Sequence, residues 1–193
     1  MSIKKHLNAL KKFNTKADKL LHSLFAEFIL ERKRFSVKID AKKGGEVSVT
    51  RNLPDQHAID EFVLTLRFFI QDNETTSFRN ISKIYSKIPV SAEFKKEFSD
   101  LRRELNEYLD SNTTITINGE TLTRRKILDV FVYGNLAHEN PDKKQTFDKW
   151  MRYPLLTELL ELEFDSILAH VLRIIKYTKT LNVKAIEELS KGN

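Results

Sequence analysis

Between Ile3 and Phe28 apolar side chains recur at positions 3, 7, 10, 17, 21, 24 and 28, in steps of four and three, with Asn14 in the one polar slot. That period belongs to a helix with a continuous apolar seam. Phe13, Leu20 and Phe25 widen the stripe beyond two positions in seven, as packing inside a single domain requires. A seam with one amide at a core position also suits pairing with a second helix, because the amide fixes register. Residues 1–34 are therefore expected to form an amphipathic helix that either packs internally or joins two copies of the chain in a homodimer.

The period then changes. Phe35-Ser36-Val37-Lys38-Ile39 and Glu46-Val47-Ser48-Val49-Thr50 alternate apolar with polar around Lys42-Lys43-Gly44-Gly45, which predicts a hairpin. A second short pair is predicted over 115–122, where Asn118-Gly119 separates two alternating runs. Elsewhere the helical period returns. Pro54-Asp55 opens a helix carrying Ile59, Phe62, Val63, Leu66, Phe69 and Ile70, ending over 73–77. A short helix stops before Pro89, since a residue preceding proline is pushed out of helical geometry. Ser91 can cap the next one. Thr123 can cap a helix over 124–138 with an apolar face at 127, 128, 131, 132 and 136, followed by a loop, a brief helix near 146–151, and a long apolar helix from Pro154 to about Leu181. The expected fold is mainly α, a compact helical bundle with one or two small β-hairpins at about 35–50 and 115–122. It should be one domain over 1–193, with a frayed tail over 183–193.

Composition narrows the classes. Thirteen Phe, five Gly and four Pro fit a packed helical core, and the absence of Cys removes disulfides, thiolate metal sites and cysteine nucleophiles together. No apolar run reaches 18 residues and no signal-peptide pattern opens the chain, so a soluble, cytoplasmic protein without membrane contact is expected. The net charge of +6 is unevenly placed: residues 1–45 hold 12 basic and 4 acidic residues, a net of +8, and the remainder carries −2. Such a segment attracts nucleic acid, an anionic membrane surface or an acidic protein, or is simply a solvated lysine-rich face.

Common catalytic signatures are missing. There is no phosphate-binding glycine loop, no His-Glu-x-x-His and no Gly-x-Ser-x-Gly, and the histidines at 6, 22, 57, 138 and 170 form no i, i+4 pair, so neither a metal nor a cofactor is expected. The distinctive chemistry lies at the end of the 124–138 helix, which carries Asn135 and His138 beyond its apolar face. For nucleic acid, the candidate contacts are Arg124, Arg125, Lys126, Lys143, Lys144, Lys149 and Arg152, with Trp150 as a stacking surface; Trp150 can equally anchor its loop to the core.

The string Tyr133-Gly134-Asn135-Leu136-Ala137-His138 resembles the signature of the HEPN superfamily, all-helical domains in which an arginine, often followed by asparagine, lies four to six residues before a helix-end histidine. The resemblance implies metal-independent RNA cleavage, with His138 acting on the attacking 2′-hydroxyl or the leaving oxygen, and a place in bacterial toxin or phage-defence systems. Tyr133 stands where the family carries arginine, and Gly134 where it carries asparagine. A tyrosine hydroxyl offers the phosphate one neutral hydrogen bond in place of a charged fork. The expected function is thus a non-enzymatic module binding RNA or a protein partner. The alternatives are a ribonuclease using His138, Tyr133 and Asn135, or a structural assembly module.

Overall fold

The computed structural model describes residues 3–23, 26, 29, 36–40, 46–50, 56–70, 76–135 and 141–191, without the side chains of 36–40, 46–50, 56–58 and 135. Among them seven α-helices and two antiparallel hairpins form a mainly α fold. Helix α1 spans Ile3–Leu21, α2 Gln56–Ile70, α3 Phe78–Tyr85, α4 Ala92–Asp110, α5 Arg124–Val130, α6 Pro141–Trp150 and α7 Pro154–Lys191. No described helix is long and apolar enough to cross a membrane.

Local chemistry sets the boundaries. Ser77, Ser91 and Thr123 each stand just before a helix and accept a hydrogen bond from the backbone N–H three residues on, satisfying one of the donors a helix start leaves open. Pro141 opens α6 and Pro154 opens α7, where a missing N–H costs nothing. Helix α6 thus begins before the expected 146, and its proline is the reason.

Strands β1 (Ser36–Asp40) and β2 (Glu46–Thr50) pair with Ser36 opposite Thr50 and Asp40 opposite Glu46; the expected turn between them lies outside the described residues. Strands β3 (Asn112–Ile117) and β4 (Glu120–Thr123) turn at Asn118 and Gly119, whose φ values of 52° and 80° match the left-handed pair a two-residue hairpin needs.

The long helix α7, about 57 Å at 1.5 Å per residue, is the spine. Helix α1 runs antiparallel along its C-terminal half: Asn182 Nδ2 donates to Asn14 Oδ1 at 3.2 Å, and Lys179 pairs with Asp18 four residues farther along α1. The described part of α1 buries Leu10 and Ala17 of the expected seam together with Phe13 and Leu20, which widen it, and His6, while Leu7 and Leu21 are only half-buried. The helix contacts α2 and α3 as well as α7, and Phe13 meets Phe69 of α2 and Phe78 of α3 edge-on at 4.9 and 6.0 Å. Asn14 is engaged within its own chain. The outer part of the expected helix, 24–34, is described only at Ala26 and Ile29, both buried.

Helix α7 continues to Lys191, with Ala185 and Leu189 buried and Glu188 Oε1 accepting the Ser91 N–H at 3.1 Å. Packing against α1 and the start of α4 holds a segment whose own sequence is too polar to announce a helix.

Candidate nucleic-acid interface

Two places concentrate polar chemistry. The first is the end of α5. After Val130 the helix widens into a π-helical turn over Phe131–Asn135, so the segment carrying Tyr133, Gly134 and Asn135 departs from α geometry. Such turns are uncommon and shift later side chains about one residue, roughly 100°, around the axis. Its packing rests on glycine: a Cβ on Gly134 would stand 2.6 Å from the Lys143 carbonyl oxygen and 2.8 Å from Phe147 Cβ, so α6 approaches this turn closer than any side chain allows. Phe131 stacks on Phe164 of α7 at 4.4 Å and meets Phe147 of α6 edge-on at 5.4 Å.

Tyr133 is half-buried, and Arg67 of α2 lies over its ring, with the guanidinium carbon 5.4 Å from the centroid. A cation from another helix thus sits against the ring of this string's tyrosine. Sequence reading passed over Arg67 because it belongs to an ordinary amphipathic helix 66 residues upstream. One turn before Tyr133, burial pushes the Asp129 carboxyl above its usual range, against the positive charges of Lys143 and Arg125. His138 lies outside the described residues, and of Asn135 only the backbone is described.

The basic residues nearby are mostly engaged. Arg124 donates from Nε to Glu163 Oε1 at 2.7 Å and from a terminal nitrogen to Ser111 Oγ at 2.6 Å, and sits over the Tyr108 ring; its side chain is 24% exposed, so it fastens α5 to α7. Arg125 pairs with Asp110 at 2.5 Å and reaches Asn106 at 3.3 Å, holding the Asp110 carboxyl below its usual range. Lys126 pairs with Glu120 at 2.6 Å and Lys144 with Asp148 at 2.9 Å. Lys143 is half-buried, whereas Lys149 and Arg152 are exposed. Trp150 is 4% exposed and belongs to the core, so its indole anchors α6 and presents no face to a base. Of the expected nucleic-acid contacts, only Lys149 and Arg152 stand out in solvent among described residues without a described ion pair.

The second place is a groove of about 980 Å³ between α1 and α3. Lys5, Lys11, Lys12 and Lys16 line it from α1, Lys83 from α3 and Lys87 from the turn beyond, and none of its described lining residues is acidic. The cause lies in the sequence, since no Asp or Glu occurs from Ile3 to Ala17. Lys16 is seated on Phe68, with Nζ 3.1 Å from the ring centroid. Among the described residues Lys5, Lys11, Lys12, Lys83 and Lys87 make no ion pair, whereas Lys19 and Lys179, farther along α1 and α7, pair with Glu61 and Asp18. Uncompensated cations along one groove raise the local potential well beyond what scattered lysines produce.

His6 also lines this groove. It is 4% exposed, and its Nδ1 has no hydrogen-bond partner among the described residues. Burial lowers its pKa below the usual histidine value, helped by positive neighbours including Lys87 and Lys5. The sequence carries a trace of this site in the lysine spacing of α1. Its other wall, 70 residues away, joins it only through tertiary packing.

Among the described residues no group of three His, Asp or Glu side chains converges to hold a metal ion. No protein-family model matches the chain, and neither does any curated protein or solved structure.

Proposed function

We propose that this protein is a non-enzymatic helical module that binds single-stranded RNA along the lysine-lined groove between α1 and α3. One observation carries the reading: five lysines of that groove have no ion pair among the described residues, while the arginines first considered, Arg124 and Arg125, are tied to Glu163 and Asp110. No aromatic side chain lines the groove among the described residues, so the phosphate backbone supplies the affinity and base stacking adds little. A flexible single strand can follow a groove bounded by two helices. Titration of a labelled single-stranded RNA across a salt series tests this. Six lysine contacts correspond to a log–log slope of about −4. A flat salt response, or no binding at low salt, removes the reading.

A second reading, a metal-independent ribonuclease, has the Arg67–Tyr133 contact in its favour. In the HEPN superfamily, which the 133–138 string resembles, an arginine at this place holds the phosphate, and Arg67 supplies a cation there. The comparison that decides is RNA cleavage in EDTA by the wild type, His138→Ala and Arg67→Ala. Cleavage lost in both variants supports the second reading; equal rates in all three, or no cleavage by any, reject it.

A further inference from the structure

The groove has an internal chemical gradient. Along most of its length its cations are exposed lysines, but where the start of α1 meets the turn after α3 it holds a buried imidazole between two of them. His6 is there, with Lys5 beside it in sequence and Lys87 across from it. A buried ring nitrogen without a partner costs free energy unless something completes its hydrogen bonding. Nothing described in the fold does so.

We infer that His6, Lys5 and Lys87 form a phosphate anchor at this end of the groove, in which the imidazole takes up a proton as the phosphate binds. This rests on the reading of the groove as an RNA site and adds where the strand is gripped and how the grip responds to pH. Nδ1 itself is closed to solvent, so binding requires the long Lys5 and Lys87 stems to part and admit the anion to the ring. In the unliganded groove the ring is neutral at pH 7, because burial and the cations around it oppose a further charge. The charged groups acting on it are the chain's amino terminus, Lys87 beyond α3 and Lys5 of α1, with Lys83 of α3 also lining the groove, and no carboxylate lines the groove from any described element. A phosphate reverses that balance. Its negative charge offsets the lysines, and its oxygen accepts from a protonated Nδ1, turning an orphaned nitrogen into a charge-assisted donor. By linkage, a ligand that raises the ring's pKa binds more tightly as pH falls.

Two probes separate this claim from the wider reading. Inorganic tripolyphosphate is added to the histidine-labelled wild type while the ring signals are followed by NMR through a pH titration, with the His6→Gln spectrum identifying the His6 signal. The expected result is a rise of about one unit in the His6 pKa on saturation; an unmoved pKa overturns the anchor. In parallel, anisotropy of a labelled oligouridylate is measured at pH 5.5 and pH 8. The wild type is expected to bind about tenfold more tightly at pH 5.5, and His6→Gln to lose that gain. Should oligouridylate fail to bind while tripolyphosphate still moves the His6 pKa, the anchor stands and the RNA reading falls. Oligouridylate affinity that does not change with pH, with no shift from tripolyphosphate, leaves the RNA reading and removes the anchor.

Discussion

Tyr85 donates its hydroxyl hydrogen to Asn182 Oδ1 at 2.9 Å, and the same amide donates to Asn14, so a short buried polar chain ties α3, α7 and α1 together. Burial holds the Tyr85 hydroxyl far above its usual pKa, so it stays a donor at any working pH. Removing the middle member strands both neighbours. Asn182→Leu is expected to cost about 2–4 kcal/mol in chemical denaturation, since each orphaned buried group costs about 1–3 kcal/mol. Asn14→Leu is expected to cost less, Asn14 being only half-buried, and to leave the mass in light scattering unchanged. At Gly134 the constraint is steric: Gly134→Ala has to displace the backbone of α6 and is expected to cost about 1–3 kcal/mol. Acid acts on the buried His6 and the half-buried His170. Burial lowers the pKa of both His6 and His170, the latter stacked on Tyr108 at 3.9 Å. Their unfolded-state pKa is therefore the higher one, and the unfolded chain binds more protons as pH falls below about 6.5. Stability from these two residues is intact above that pH and declines beneath it, and a denaturation midpoint that drops between pH 7 and 5, less in His170→Gln, is the expected outcome.

Elements differ in how openly their sequence announces them. Asn118-Gly119 declares its hairpin because two adjacent left-handed residues admit almost no other pair, and Ser91 and Thr123 declare helix starts because the capping oxygen is in the same residue. These are local signals and need no partner. The π turn at 131–135 is different. Its apolar spacing reads as a continued α-helix, and the departure goes with the close approach of Lys143 and Phe147 to Gly134, residues of another helix. The seam of α1 was legible, with Leu10, Phe13, Ala17 and Leu20 buried as its widened stripe implies, but the depth of His6 was not, since three neighbouring helices decide which side chains are deepest. The last ten residues of α7 were hidden for a similar reason: Ala185 and Leu189 are buried in a helix that packs along α1 and α4, rather than marked by their own neighbours in sequence. Asp129→Asn checks the cost of a buried charge beside the π turn. With the carboxyl pKa raised, the ionised form is the disfavoured one, and the amide is expected to match or exceed wild-type stability at pH 7 while the two converge toward acid pH.

At the scale of the whole molecule, charge is sorted rather than balanced. The excess positive charge of the first 45 residues was plain in the sequence, but which cations remain available was not, because availability depends on distant carboxylates. Glu163, Asp110 and Glu120 neutralise the 124–126 cluster across turns of the fold, whereas no described acidic residue lines the groove beside Lys5, Lys11, Lys12, Lys83 or Lys87. The candidate site read from the motif and the one built by packing therefore lie in different places. Paired charge reversal distinguishes them. Single-stranded RNA affinity is measured at low salt for Lys12→Glu and for Lys126→Glu, with folding checked by circular dichroism. Binding through the groove predicts at least a tenfold loss for Lys12→Glu and less than a twofold change for Lys126→Glu. Equal losses, or a larger loss at Lys126, would contradict it.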